Sequence, residues 1–123
     1  MDSLNDFDHI LLQTIDEIVR YCLGEINAKL IYNHLERKNC PRQEIPKKLD
    51  IFTTEFENLI GSGRGQILGA AKILQNEIVK TLCTKLEISY SEKNAGYFPD
   101  QVKNLKEIYT HRLFALNSSK SLR

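Results

Sequence analysis

Apolar residues recur along most of this chain at three- and four-residue steps, the spacing of one face of an α-helix. The densest such stretch is Ile67 to Leu86, where Ile67, Ala71, Leu74, Ile78 and Leu82 form a stripe widened by Leu68, Ala70, Ile73, Val79, Cys83 and Leu86. Only Lys72, Asn76, Lys80 and Thr84 are left as a band for water. This is the pattern of a helix at the centre of a bundle, and the other segments are expected to pack around it.

A first helix is predicted from about Leu4 to Leu23, with Leu4, Phe7, Leu11, Ile15, Ile18 and Cys22 in step as heptad a and d positions. Asp6 and Asp8 suit its positive end, and Gly24 ends it. A second follows at once, about Glu25 to Lys38, burying Ile26, Leu30, Ile31 and Leu35. Asn39 to Lys48 reads as loop, because Pro41 and Pro46 hold the residues before them away from helical angles. A third helix, about Asp50 to Ile60, carries Phe52, Phe56, Leu59 and Ile60 on one face and stops at the glycines of Gly61-Ser62-Gly63-Arg64-Gly65. After Leu86, Ile88 to Tyr90 is a candidate short β segment, and Ser91 to Pro99 reads as loop. Asp100 is placed as the cap of a last helix, about Gln101 to Ala115, with Val102, Leu105, Tyr109, Leu113 and Leu116 in step, and Asn117 to Arg123 is expected to fray.

The expected fold is therefore all-α: a single-domain bundle of about five helices with the long helix 67–86 at its centre. Residues 1–90 form a four-helix core, and 91–123 add a loop and a C-terminal helix packed on that core or on a partner chain. The a/d faces of the first and last helices leave surplus apolar surface, of the kind a second chain commonly covers. The expected partner-binding residues are Leu11, Ile15, Ile18, Leu105, Tyr109 and Leu113.

Length agrees with one domain. A chain of 123 residues buries about two thirds of its unfolded surface, enough to fold without disulfide or metal. With 17 Lys+Arg against 16 Asp+Glu, net charge selects no polyanionic partner. The signs are nevertheless polarised, with five carboxylates and no Lys or Arg from Met1 to Ile18, and five Lys or Arg with one Glu from Val102 to Arg123. Cys22, Cys40 and Cys83 form no CxxC pair, and neither a leader nor a membrane span is recognisable, so a cytoplasmic protein with reduced thiols is expected. Cys22 and Cys83 fall on apolar faces and read as small core residues.

Several residues carry a resemblance. Leu23-Gly24, the run Ala28 to Lys38 (AKLIYNHLERK), Glu44-Ile45-Pro46 with Phe52 and Phe56, and Gly69-Ala70-Ala71-Lys72-Ile73-Leu74 leading to Lys85-Leu86 resemble the archaeal helical domain described as a Nitrosopumilus output domain, of the fifth such family. The resemblance spans about Leu11 to Ile88. It implies a signalling output module with no catalytic residues, acting through contacts with proteins or DNA. Ser62 to Gln66 are extra to that pattern, and Gln75 stands where it has an acidic residue.

Candidate chemistry is sparse. The glycines before the central helix lack the lysine and hydroxyl of a phosphate loop and read as an interhelical turn, with a phosphate contact at Arg64 as the other reading. His34 and Cys40 lack a zinc spacing, and Tyr32 or His34 is expected to be half-buried and hydrogen-bonded at the bundle edge. Asp16, Glu17, Glu55 and Glu57 are expected on solvated faces, and Glu77 beside Lys80 reads as a snorkelling or salt-bridged group. No nucleophile signature accompanies any Ser or Cys. The chain is thus expected to be non-enzymatic, without metal or cofactor. Its expected partner is a second copy or another regulatory protein, with no membrane involved. The alternative is a nucleic-acid-binding regulator using Arg37, Lys38, Arg42, Lys47, Lys48 and Arg64.

Overall fold

The structure is a computed structural model that describes residues 6–61, 70–90 and 96–121, with 116–121 described by backbone alone. It is an all-α single domain with no strand among the described residues, so Ile88 to Tyr90 is not a β segment. The helices are α1 (Asp6–Leu23), α2 (Glu25–Arg37), α3 (Leu49–Phe56), α4 (Ala70–Leu86) and α5 (Phe98–Ser121). Residues 67–69 of the expected central helix, Leu4, and Ser62 to Gly65 lie outside the described residues.

Gly24, at φ 89°, lets α1 turn directly into α2, a backbone angle that a side chain would strain. The two helices form an antiparallel hairpin tied midway by Tyr32 Oη donating to Asp16 Oδ1 at 2.9 Å, and at its corner by Asn27 Nδ2 donating to the Leu23 carbonyl at 2.8 Å. Residues Arg42–Lys47, expected as loop, wind instead into a 3₁₀ segment. Pro46 has no N–H to give an α-helix, whereas the short bonds Glu44 N–H to Pro41 O and Lys48 N–H to Ile45 O do not need one. α3 passes without a break into a π turn, Glu57–Gly61, and Gly61 there lies so near α4 that an added Cβ would sit 3.1 Å from the Ala71 Cβ.

The core joins all five helices. Phe7, Leu11, Ile15 and Val19 of α1 are buried, as are Ala28, Ile31 and Leu35 of α2, Phe52 and Phe56 of α3, and Phe98, Val102 and Leu105 of α5. α4 contributes Ala71, Leu74, Ile78, Val79, Leu82, Cys83 and Leu86. Of its expected stripe, Ile67 and Leu68 lie outside the described residues, Ala70 is half-buried, and Ile73 is a correction, at 59% exposed. Gln75 is also buried on α4 and donates to Glu57 at 3.3 Å. Four other expected core positions are corrected. Ile26 and Leu30 of α2 and Leu59 face outward, and Cys22 is exposed because α1 buries Phe7, Leu11, Ile15 and Val19 in steps of four, which rotates its face away from Ile18 and Cys22.

α5 begins earlier than expected. Tyr97, not Asp100, precedes it and accepts the first backbone bonds, and Pro99 falls in the first turn where its missing N–H costs nothing. The helix also continues to Ser121, past the end expected at Ala115. It runs parallel to α4: Lys72 Nζ donates to the Gly96 carbonyl at the starting ends, and Arg112 donates to the Leu86 and Glu87 carbonyls at the finishing ends. α5 packs on the core of its own chain. Phe98 lies against Phe52, with ring centroids 6.1 Å apart, and Tyr97 Oη donates to Asp50 at 3.0 Å.

Both α2 and α4 end in the same backbone motif, with Asn39 at φ 64° and Glu87 at φ 56°. In each, the following N–H reaches back to the carbonyl five residues earlier, Cys40 to Leu35 and Ile88 to Cys83, so carbonyls of the last turn are satisfied. Asn tolerates this conformation, whereas Glu does so at a cost. Replacing Glu87 by glycine is therefore expected to raise stability by up to about 1 kcal/mol, measurable by urea denaturation. Leu11→Ala, by contrast, removes a fully buried side chain and is expected to cost about 2–5 kcal/mol by the same assay.

Candidate functional site

The expected seam residues divide sharply by burial. Leu11 and Ile15 are fully buried within the chain's own core, so they are not available as a surface stripe. Leu105 is 6% exposed and is likewise occupied, while Ile18 is half-buried. Tyr109 is half-buried against Phe7, with ring centroids 6.0 Å apart. Leu113 alone is exposed, at 39%. The physical reason is that the inner face of α1 packs on α4 and α2 of the same chain, and α5 covers its first turn. Phe7 touches Tyr109, and Lys106 Nζ lies 3.1 Å from Asp8, which is buried. Part of the charge polarity along the sequence is thus satisfied inside the molecule.

Elsewhere, two groups hold the most exposed of the large apolar side chains other than Ile73. The first is at the α1–α2 corner, where Tyr21 is 89%, Ile26 76% and Leu30 60% exposed, and Cys22 is exposed as well. Because the hairpin is antiparallel and turns at Gly24, Tyr21 and Cys22 lie at the level of the first turn of α2. Ile26, Leu30, Asn33 and Arg37 follow one another at four, three and four residues on its outward face, opposite the buried Ala28 and Leu35. The second area lies where α5 passes the end of α4. Beyond Arg112, nine residues continue for about 13 Å. That overhang carries Leu113 and the 72% exposed Phe114.

Sequence periodicity assigned Ile26 and Leu30 to the core and did not single out Tyr21 or Phe114. The signal was present in α2, whose apolar residues fall into two sets on opposite sides, one of which must face away from the bundle.

The polar residues are mostly engaged with one another. Asp16 and Glu55, expected on solvated faces, are instead half-buried and join helices. Asp16 accepts from Arg20 Nε at 2.9 Å, from Tyr32 Oη at 2.9 Å, and from Arg42 at 3.2 Å, while the Arg42 guanidinium lies 5.3 Å from the Tyr32 ring centroid. Arg20 also pairs with Glu25, which holds that carboxyl below its usual range. Burial and the neighbouring Asp16 carboxylate push the Tyr32 phenol well above its usual range. His34 Nε2 lies 2.7 Å from Glu55 Oε1, joining α2 to α3, so Tyr32 and His34 are both the half-buried, hydrogen-bonded residues expected. Glu77 is exposed.

Of the expected cationic residues, Arg42 is held by Asp16, and Lys48 by Glu44 at 2.8 Å and the Asn39 carbonyl at 2.7 Å. Arg37, Lys38 and Lys47 are exposed, and Arg64 lies outside the described residues. Cys40 and Cys83 are buried, and that burial raises their thiol pKa, which disfavours the reactive thiolate. Among the described residues, no three His, Cys, Asp or Glu side chains gather as a metal site requires. A crevice between α4 and α5, lined in part by Cys83, Tyr90, Gln101 and Ile108, has a volume of about 100 Å³, below the few hundred of a typical ligand pocket. No described helix is long and apolar enough to cross a membrane.

Comparison of the chain with protein families, with curated proteins and with solved structures gives no match.

The Asp16 cluster makes a pH-dependent contribution whose sign follows from the raised Tyr32 pKa. As pH rises past 10, the ordinary phenol value, the unfolded chain loses the Tyr32 proton while the folded chain keeps it. Stability is therefore expected to fall as pH rises above that value. Tyr32→Phe should flatten the fall and, at neutral pH, cost about 1 kcal/mol for the lost hydrogen bond. Denaturation curves of both proteins across alkaline pH measure the two effects.

Proposed function

We propose that the protein is a non-enzymatic helical interaction module, an output or adaptor domain of an archaeal regulatory pathway, that works by associating with a second copy of itself. The observation that carries this is the two-sided apolar character of α2. Ala28, Ile31 and Leu35 enter the bundle, while Ile26 and Leu30 stand 76% and 60% exposed on the opposite side. A helix apolar on two faces is normally covered on both. The resemblance of residues 11–88 to an output domain points the same way. The polar side chains that acid–base chemistry would use are engaged in structural pairs, as at Asp16 and at His34 with Glu55.

The alternative, a nucleic-acid-binding regulator, draws mainly on Arg37, Lys38 and Lys47, since Arg42 and Lys48 already face carboxylates. Binding of that kind weakens steeply with salt, whereas an apolar seam is nearly indifferent to it. Sedimentation velocity over a wide concentration range, at low and high salt, is expected to show a dimer at both salts. Lys47→Glu with Lys48→Glu should leave that dimer unchanged. A chain that stays monomeric throughout excludes self-association.

A further inference from the structure

Given that the chain self-associates, we infer that the seam is α2 against α2 of a second copy, antiparallel, across a two-fold axis near Ala28. The outward stripe begins with Ile26 and Leu30, and on one edge it is flanked by Glu25 and Lys29, one turn apart. When two identical helices meet antiparallel, each edge faces the same edge of the other copy, reversed. Placing the axis near Ala28 brings Ile26 of one copy opposite Leu30 of the other, so the four large exposed side chains cover one another. In that register, Glu25 of each copy also comes within reach of Lys29 of the other.

Apolar and charged residues thus select the same register to within two residues, about 3 Å along a helix axis. A parallel two-fold pairing does not achieve this, because it turns the Glu25–Lys29 edges of the two copies to opposite sides of the seam, where neither meets the other. That self-complementarity is the reason for naming a second copy as the occupant rather than an unrelated protein. Glu25 is open to such a contact: it is exposed, and its existing partner, Arg20, belongs to its own chain. Tyr21, 89% exposed in the last turn of α1, extends the apolar area at the same end of the hairpin.

Sedimentation of single variants tests the seam, with circular dichroism as the check on folding. Ile26 and Leu30 lie outside the core, so Ile26→Glu and Leu30→Glu should keep the helical spectrum while weakening the dimer by at least about a hundredfold, as loss of a central interface anchor does. Glu25→Lys and Lys29→Glu each put like charges across the axis, and each should weaken the dimer by about tenfold. Mixing these two variants restores opposite charges at both contacts and should give a heterodimer close to the wild-type affinity.

A folded Leu30→Glu variant that dimerises as tightly as wild type overturns the α2 seam while leaving self-association standing. Failure of the mixed charge variants to recover affinity overturns the antiparallel register. A wild-type chain that is monomeric at every concentration overturns self-association, and the seam with it.

Discussion

The docking of α5 onto α3 is the contact on which the rest of the architecture depends. Phe98 meets Phe52, which is itself stacked on Phe56 at 5.2 Å, and Tyr97 reaches Asp50 two residues before Phe52. These contacts fix where the chain must be after it leaves α4. α5 therefore sets out in the same direction as α4 rather than folding back as a hairpin. From that direction follow the burial of Val102 and Leu105, the Lys106–Asp8 pair, and the capping of the α4 carbonyls by Arg112.

The same geometry decides which apolar surface is left over. The stripe containing Leu11 and Ile15 is closed within one chain, chiefly by α4, and Tyr109 of α5 covers Phe7 at its start. The most exposed apolar side chains lie at the corner around Gly24 and on the part of α5 beyond Arg112, with Ile73 and Tyr97 exposed elsewhere. These side chains add nothing to the core, and the outward face of α2 bears large aliphatic residues that stability of a single chain does not require.

Polar groups in this fold act mainly as ties between helices. Asp16 gathers Arg20, Tyr32 and Arg42 from α1, α2 and the 3₁₀ segment, and His34 with Glu55 joins α2 to α3. The half-buried positions of Asp16 and Glu55 make these contacts less screened than pairs on the open surface, though each remains partly hydrated and modest in strength. Charges tied in this way hold the helices to one another.

The sequence by itself determined where the helices lie and which of them is most buried, because a 3.6-residue period, Gly24 and the prolines are local properties of the chain. The Phe52–Phe56 pair and the α4 residues Leu74, Ile78 and Leu82 were legible for the same reason. The 3₁₀ segment and the early start of α5 were not, since each rests on a short hydrogen-bonded turn that proline permits but does not announce. Tertiary structure alone decided which side of α2 faces inward. Ile26 and Leu30 match Ile31 and Leu35 in hydrophobicity and in spacing, so periodicity cannot rank the two faces. The choice was made by partners remote in sequence: Asp16 accepting from Tyr32 and Glu55 meeting His34 turn the Ala28–Leu35 side into the bundle. The candidate surface is the face that those contacts leave outside.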